Sequence, residues 1–264
     1  MDLRLQGKTA FISGSTAGIG WGIANALLAE EVQVILNGRS QDSIDTAIAR
    51  LRDHHPEGRV TGVVADFGDA DSVQRLIASL PSVDLLINNV GTYTSQAFED
   101  SSDEDWLWQF EVNVMSGVRL SRSVLPQLLS RGWGRIIFVS SECAGLVPSD
   151  LIAYSTTKAA MLALSRGLAQ LTTGTGVTVN AVLPGSTMTE GAEQFMSDLA
   201  RRQGVSVESA TAQFFSDVRT SSLLQRFASV EEIASAITYL CSPLAAATNG
   251  AAIRLEGGSM GGIL

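Results

Sequence analysis

Lys8-Thr9-Ala10-Phe11-Ile12-Ser13-Gly14-Ser15-Thr16-Ala17-Gly18-Ile19-Gly20 is the stretch on which the fold turns. Residues 8 to 14 read as a buried strand and Ile19 to Leu28 as a helix, so the glycine-bearing connection joins strand to helix. Glycines 14, 18 and 20 stand in the spacing Gly-x-x-x-Gly-x-Gly. They permit a tight turn, close backbone approach to a pyrophosphate and close packing of helix on strand, with the helix N-terminus facing the anion. The connection is read as a dinucleotide loop with Gly14, Ser15, Thr16, Gly18, Ile19 and Gly20 as candidate contacts; the competing reading is a plain glycine turn.

A second strand, Val32 to Asn37, ends in Gly38-Arg39-Ser40, where the adenosine ribose of a dinucleotide lies in such folds. An acid at that place binds a 2′-hydroxyl. Gly38 instead leaves the space empty and Arg39 offers a guanidinium fork suited to a 2′-phosphate, which favours NADP(H) over NAD(H). The bland alternative is a solvated Arg39 ahead of the next helix. Further strands are expected at Arg59 to Ala65, Val83 to Ile87, Gly134 to Ser140, Val177 to Leu183 and near Ala251 to Leu255, with helical segments at Ser40 to Asp53, Ala70 to Leu80 and Asp103 to Leu129. Pro126 can bend or end the last of these. This alternation predicts an α/β, doubly wound parallel sheet of about seven strands with helices on both faces and ligands at the strands' C-terminal ends. Asp66, Phe67, Asn88 and Gly91 stand at such ends as candidate cofactor contacts, although Asp66 and Asn88 also suit polar turns.

Ala153-Tyr154-Ser155-Thr156-Thr157-Lys158 opens a further helical stretch, which puts Tyr154 and Lys158 four residues apart on one face. A phenol has an ordinary pKa of about 10, and lowering it to about 7 requires roughly 4 kcal/mol of differential stabilisation. An ammonium at about 4 Å supplies on the order of 4 kcal/mol at an effective dielectric of about 20, before desolvation is subtracted. A second cation such as an oxidised nicotinamide would add to it. Tyr154 follows Ser141 by 13 residues (154 − 141), enough for a loop to bring that hydroxyl beside the phenol. An ordinary helix with a surface Tyr and Lys is the alternative.

Pro184-Gly185-Ser186-Thr187-Met188-Thr189 follows the sixth strand, and Glu190 to Arg226 is amphipathic and rich in Gln, Phe and Ser. It reads as a substrate-binding lid, residues 190–226, inserted within one domain spanning 1–264. With 264 residues, 45% of them hydrophobic, and no apolar run of 18, the chain can bury a large core and is not expected to span a membrane. Residues 1–8 lack the apolar core of a signal peptide, so a cytoplasmic location is expected. Two cysteines, Cys143 and Cys241, and the adjacent His54 and His55 make no zinc set, so no metal is expected. A net charge of −9 argues against nucleic acid and anionic membranes as partners.

Together these residues resemble the compact, single-domain form of the short-chain dehydrogenase/reductase (SDR) family, over about Gly7 to Gly258, and the resemblance implies a Rossmann fold. Ser13 to Gly20 is similar to its Thr-Gly-x-x-x-Gly-x-Gly with serine for threonine, and Asn88 to Gly91 to its Asn-Asn-Ala-Gly with Val90 for alanine. Asn113, Ser141, Tyr154 and Lys158 fall at the spacings of its catalytic tetrad, and Pro184, Gly185, Thr187 and Thr189 resemble its nicotinamide-side motif. The resemblance implies hydride transfer between NADP(H) and a carbonyl or secondary alcohol, with Tyr154 as general acid/base. Lys158 would lower the phenol's pKa and hold the nicotinamide ribose, Ser141 would position the carbonyl oxygen, and Asn113 would hold a water linking Lys158 to solvent. A homotetramer or dimer is implied as well. Glu142, beside the serine, departs from the family pattern and is read as facing solvent, with contact to the substrate as the alternative.

The leading expectation is a carbonyl reductase or alcohol dehydrogenase for a small or medium, mostly apolar substrate. A 3-oxoacyl-[acyl-carrier-protein] reductase is the alternative, weakened by rim stretches at 132–134 and 172–176 that are almost free of charge. A non-catalytic dinucleotide sensor or scaffold would lack the tyrosine or the lysine, and both are present.

Overall fold

A computed structural model describes residues 1–262. Its strands are β1 (Thr9–Ile12), β2 (Gln33–Gly38), β3 (Val60–Val64), β4 (Leu85–Asn88), β5 (Trp133–Val139), β6 (Gly176–Pro184), β7 (Thr187–Met188), β8 (Ala228–Ser229) and β9 (Ala252–Leu255). Seven form one sheet in the order β3-β2-β1-β4-β5-β6-β9, each neighbouring pair parallel. The chain leaves β1 toward one edge and returns to β4 on its other side, so the order reverses between β1 and β4 and opens a crevice at their C-terminal ends.

Strands covered on both faces must be apolar on both faces, and these are. Ala10, Ile12, Leu36 and Ile87 pack on one side with Ile23, Leu27 and Ile237. Phe11, Leu86, Ile136 and Phe138 pack on the other with Val124, Leu128 and Met161. The covering helices are α1 (Gly18–Ala29), α2 (Gln41–His54), α3 (Ala70–Ser79), α4 (Asp103–Phe110), α5 (Ser116–Arg131), a short α6 (Cys143–Leu146) and α7 (Ile152–Gln170); α8 (Glu190–Gln203), α9 (Val207–Asp217) and α10 (Val230–Cys241) follow. Side chains cap α2 through Ser40, α3 through Asp69 and α10 through Ser229. Ala17 gives α1 no such cap, so the first amides of that helix have no side-chain acceptor from the capping position.

The expected single helix over residues 103–129 is interrupted. Glu111–Met115 forms a π-helical turn between α4 and α5, and Asn113 sits at its centre. Pro126 does not end α5, which runs on to Arg131 and stops at Gly132 in the left-handed conformation. The helix α10 was not foreseen from sequence; it packs on α1, where a Cβ on Gly22 would lie 2.1 Å from Val230 Cγ1.

Between β7 and β8, which pair with each other, the chain makes an excursion containing α8 and α9. It carries a small core of its own around Met196, Ala200 and Ala210. Phe214 and Phe227 stack there with ring centroids 5.4 Å apart, and Phe215 meets Phe227 edge-on at 5.2 Å.

Candidate active site

Ser13, Gly14 and the turn after β4 lock together before any ligand is considered. Ser13 Oγ accepts from the amides of Asn89 and Val90, and Asn89 Nδ2 donates to the carbonyls of Ser13 and Gly14 at 3.0 and 2.8 Å. Gly14 adopts φ +60 with Val90 Cα 3.0 Å from where its Cβ would lie, a place only glycine fills. Val90, the bulkier stand-in for alanine, is therefore the residue that closes on Gly14. Ser15 is turned inward: its hydroxyl donates to Ile12 O at 2.7 Å and accepts from Asn37 N, so it braces the loop and does not face the crevice.

The crevice at the sheet's reversal is a cleft of about 340 Å³ whose walls include Thr16, Arg39, Asp66, Phe67, Gly91 and Trp108. A Cβ at Gly38 would sit 2.7 Å from Thr16 Cγ2 and 2.8 Å from Ser43 Oγ, so a larger side chain there requires these side chains to shift. Thr189, the N-cap of α8, brings its methyl to 3.3 Å from the missing Cβ of Gly18. Glu190 was not among the residues singled out from sequence, yet its Oε2 accepts from Gly18 N at 2.9 Å and its Oε1 pairs with Arg50 at 3.3 Å. The contact spans 172 residues of chain and has no local signature.

Tyr154 and Lys158 do share a face of α7. Lys158 is buried, donates from Nζ to Val139 O at 2.9 Å, and its Nζ lies 5.5 Å from the centroid of the Tyr154 ring. Desolvation brings its pKa down to about 8. Burial pushes the Tyr154 phenol well above its ordinary range, and a hydrogen bond with Ser141 opposes that rise. Two serines follow β5, and their bonding tells them apart. Ser140 Oγ is spent on Lys158 O at 2.8 Å, anchoring α7 to the strand, whereas Ser141 faces the phenol and accepts from Cys143 N at 3.1 Å. The Tyr93 ring lies 5.7 Å from that of Tyr154.

Asn113 reaches the same place from the π-helical turn, a deformation that recurs at functional sites. Its amide is engaged inside the protein: Nδ2 donates to Thr92 O and Thr157 Oγ1, each at 2.9 Å, and Oδ1 accepts from Thr92 N at 2.7 Å. Its side chain thus positions the Thr92 turn and α7. Lys158 Nζ and Asn113 Oδ1 converge on Gly91, 3.2 and 3.5 Å from where its Cβ would be. Asn88 lies behind this point, buried, with Nδ2 donating to Ser121 Oγ at 3.4 Å and Oδ1 unpartnered. Pro184 ends β6, and Thr187 Oγ1 donates to Gly185 O at 3.0 Å, holding that turn beside the glycine loop.

The profile of the family described as short chain dehydrogenase matches residues 8–200, which include the glycine loop, Asn113, Ser141, Tyr154 and Lys158. The chain belongs to the short-chain dehydrogenase family. This short-chain dehydrogenase is 43% identical over 258 residues to the uncharacterized oxidoreductase YvaG of Bacillus subtilis, covering 98% of each chain. It is 31% identical over 258 residues to a D-beta-hydroxybutyrate dehydrogenase of Cupriavidus necator, covering 96% of this chain and 98% of that one. L-sorbose reductase from Gluconobacter frateurii, solved with NADPH and L-sorbose, superposes over the whole of both chains with a TM-score of 0.91 at 30% identity. Glu142 corrects an expectation for this short-chain dehydrogenase: the side chain does not face solvent but is buried, paired with Arg219 at 3.3 Å. No His/Cys/Asp/Glu cluster fit for a metal occurs among the described residues, and no helix among them is long and apolar enough to cross a membrane.

Proposed function

We propose that the protein is an NADP(H)-dependent oxidoreductase that interconverts a carbonyl and a secondary alcohol, with Tyr154 as the general acid/base. The observation that carries this reading is the convergence of Tyr154, Ser141 and buried Lys158 at the C-terminal end of β5, beside the crevice of the glycine loop. The residues fit a dinucleotide: glycines stand where a Cβ would clash, and the capping residue Ala17 supplies no side-chain acceptor to α1, although Glu190 Oε2 accepts from the Gly18 amide at 2.9 Å. Gly38 stands where an acid would hold a 2′-hydroxyl and Arg39 is exposed at the rim, which supports NADP(H) over NAD(H).

When bound, the nicotinamide supplies or accepts the hydride. Tyr154 gives its proton to the carbonyl oxygen during reduction and takes it back during oxidation. Ser141 donates a hydrogen bond to the same oxygen, and the two hydroxyls form a small oxyanion site. Lys158, held toward Val139 O, places an ammonium under the phenol; alone it leaves the phenol above its ordinary range, so full activation falls to the bound state. Residues 190–226 act as the lid over this oxygen, and the exposed small-residue face of α7, with Ala159, Ala163 and Gly167, suits close helix approach in a homo-oligomer.

The test combines binding and turnover. NADPH fluorescence titration should show tighter binding than NADH, and carbonyl compounds should then be screened with ketoses first, because the sorbose-bound relative supports that choice. Tyr154→Phe should lower kcat/KM by about 10²- to 10⁴-fold with NADPH affinity kept. Retained turnover in that variant would refute the role given to Tyr154.

A further inference from the structure

Glu142 follows Ser141 directly, and its burial is costly. The side chain is 4% exposed, Oε1 pairs with Arg219 Nε at 3.3 Å, and Oε2 has no hydrogen-bond partner. The backbone around it is already fixed without the carboxylate. Glu142 N donates to Pro184 O at 2.9 Å, and its carbonyl accepts from Gly145 and Leu146 at 3.0 Å.

The groups facing the carboxylate come from three elements. Arg219 lies just past α9, Glu256 follows β9, and Ser259 sits in the segment after it, with its hydroxyl donated to Glu256 O at 2.8 Å. Glu256 is itself occupied by Arg254 at 2.7 Å. Cys143 and Tyr154 lie close enough on the remaining side to feel the charge. Desolvation, with Glu256 adding to it, pushes the Glu142 carboxyl up, Arg219 pulls it down, and the net direction is up. A carboxyl whose pKa is raised in the fold makes the ionised form a net loss of stability, so the pair is not there to hold the fold together.

What the ionised form does hold is the end of the 190–226 segment. Arg219 N donates to Phe214 O at 3.0 Å and its carbonyl accepts from Ser222 N at 3.1 Å, so the guanidinium is tied by backbone to both α9 and the turn after it. We propose that Glu142 and Arg219 are a positioning pair that docks the stretch from α9 to Ser222 onto the Ser141 loop and so favours closure over the reacting oxygen, while Leu224 N, donating to Gly257 O at 2.9 Å, anchors the chain beyond it. The proposal rests on the reading of residues 190–226 as a lid over a Tyr154-dependent site. Protonating Glu142 releases Arg219, and the release begins above the usual carboxylate range.

Amide hydrogen exchange tests it without needing a substrate. In Glu142→Gln, exchange of residues 207–222 should quicken about tenfold while the sheet strands keep their protection, and the thermal midpoint at pH 8 should stay level or rise. Arg219→Met should reproduce this, Arg219→Lys should restore most of the protection, and the double variant should be no worse than either single one. In the wild type the same residues should lose protection as the pH is lowered, starting above the usual carboxylate range, after correction for intrinsic rates, and in Glu142→Gln they should not. With any carbonyl substrate found, KM should rise about tenfold and kcat by contrast fall less. Unchanged exchange at 207–222, or a lower midpoint with faster exchange throughout the sheet, would overturn the proposal. Turnover that survives Tyr154→Phe would instead count against the catalytic reading, so the two failures are distinguishable.

Discussion

Replacing Lys158 by methionine should make the ligand-free protein more stable while abolishing its chemistry. The ammonium is buried and its pKa falls from 10.5 to about 8, an interval that at about 1.4 kcal/mol per pH unit corresponds to about 3 kcal/mol held against the charged form. Below pH 8 both folded and unfolded chains carry the proton, and the folded chain must bury it. Between about 8 and 10.5 the unfolded chain still binds the proton and the folded one does not, so wild-type stability rises with pH across that window. Methionine keeps the length of the side chain and removes the charge, but it leaves Val139 O without its donor, a loss of about 1–2 kcal/mol. The net gain near pH 7 is about 1–2 kcal/mol, or roughly 2–8 °C in Tm for a chain of this size. Differential scanning calorimetry without cofactor, at pH 7 and again at pH 10.5, should show the gap shrink at the higher pH, and kcat/KM of the variant should be down by at least about 10²-fold. A Lys158→Met protein that melts lower than wild type at pH 7, or by the same margin at both pH values, would refute the desolvation argument.

The cofactor assignment makes Arg39→Ala lose about 10- to 100-fold in NADPH affinity, the worth of a charge-assisted hydrogen bond to phosphate, with NADH affinity unchanged in the same titration. In kcat/KM against pH, measured on free enzyme, the descending limb should fall near 8, because above it Lys158 loses the charge that supports the phenolate; a plateau through pH 10 would contradict this. Gly91→Ala would place a methyl 3.2 Å from Lys158 Nζ and 3.5 Å from Asn113 Oδ1, so turnover should drop more than tenfold while the far-ultraviolet circular dichroism is kept. Full activity in that variant would mean that Lys158 and Asn113 are free to yield.

What the chain discloses to a reader of its sequence is whatever is local. Seven strands appear within a residue or two of their expected ends because each is a short apolar run between turn residues, and the glycine loop is legible because its requirements are met by glycines at fixed offsets. Tyr154 and Lys158 are legible because helical spacing places them together. What sequence reasoning missed, and the partners it could not name, are held by contacts across the fold. Glu190 meets Gly18 across 172 residues, and Asn113 spends its amide on Thr92 and Thr157, 21 and 44 residues away. Glu142 looks from its neighbours like a solvated acid, and only the arrival of Arg219 and the segment after β9 closes it off. Desolvation is the property hardest to see in a string of letters, since it depends on what else arrives. Lys158 and Glu142 are both buried against the preference of their charged forms, and the Tyr154 phenolate would be as well. Two groups held at a loss, and a third that would be so once ionised, within one small region, mark a place where the fold gives up stability, as functional sites do. That is why Lys158→Met and Glu142→Gln are both expected to melt no lower than wild type while losing, respectively, the reaction and the closure that serves it.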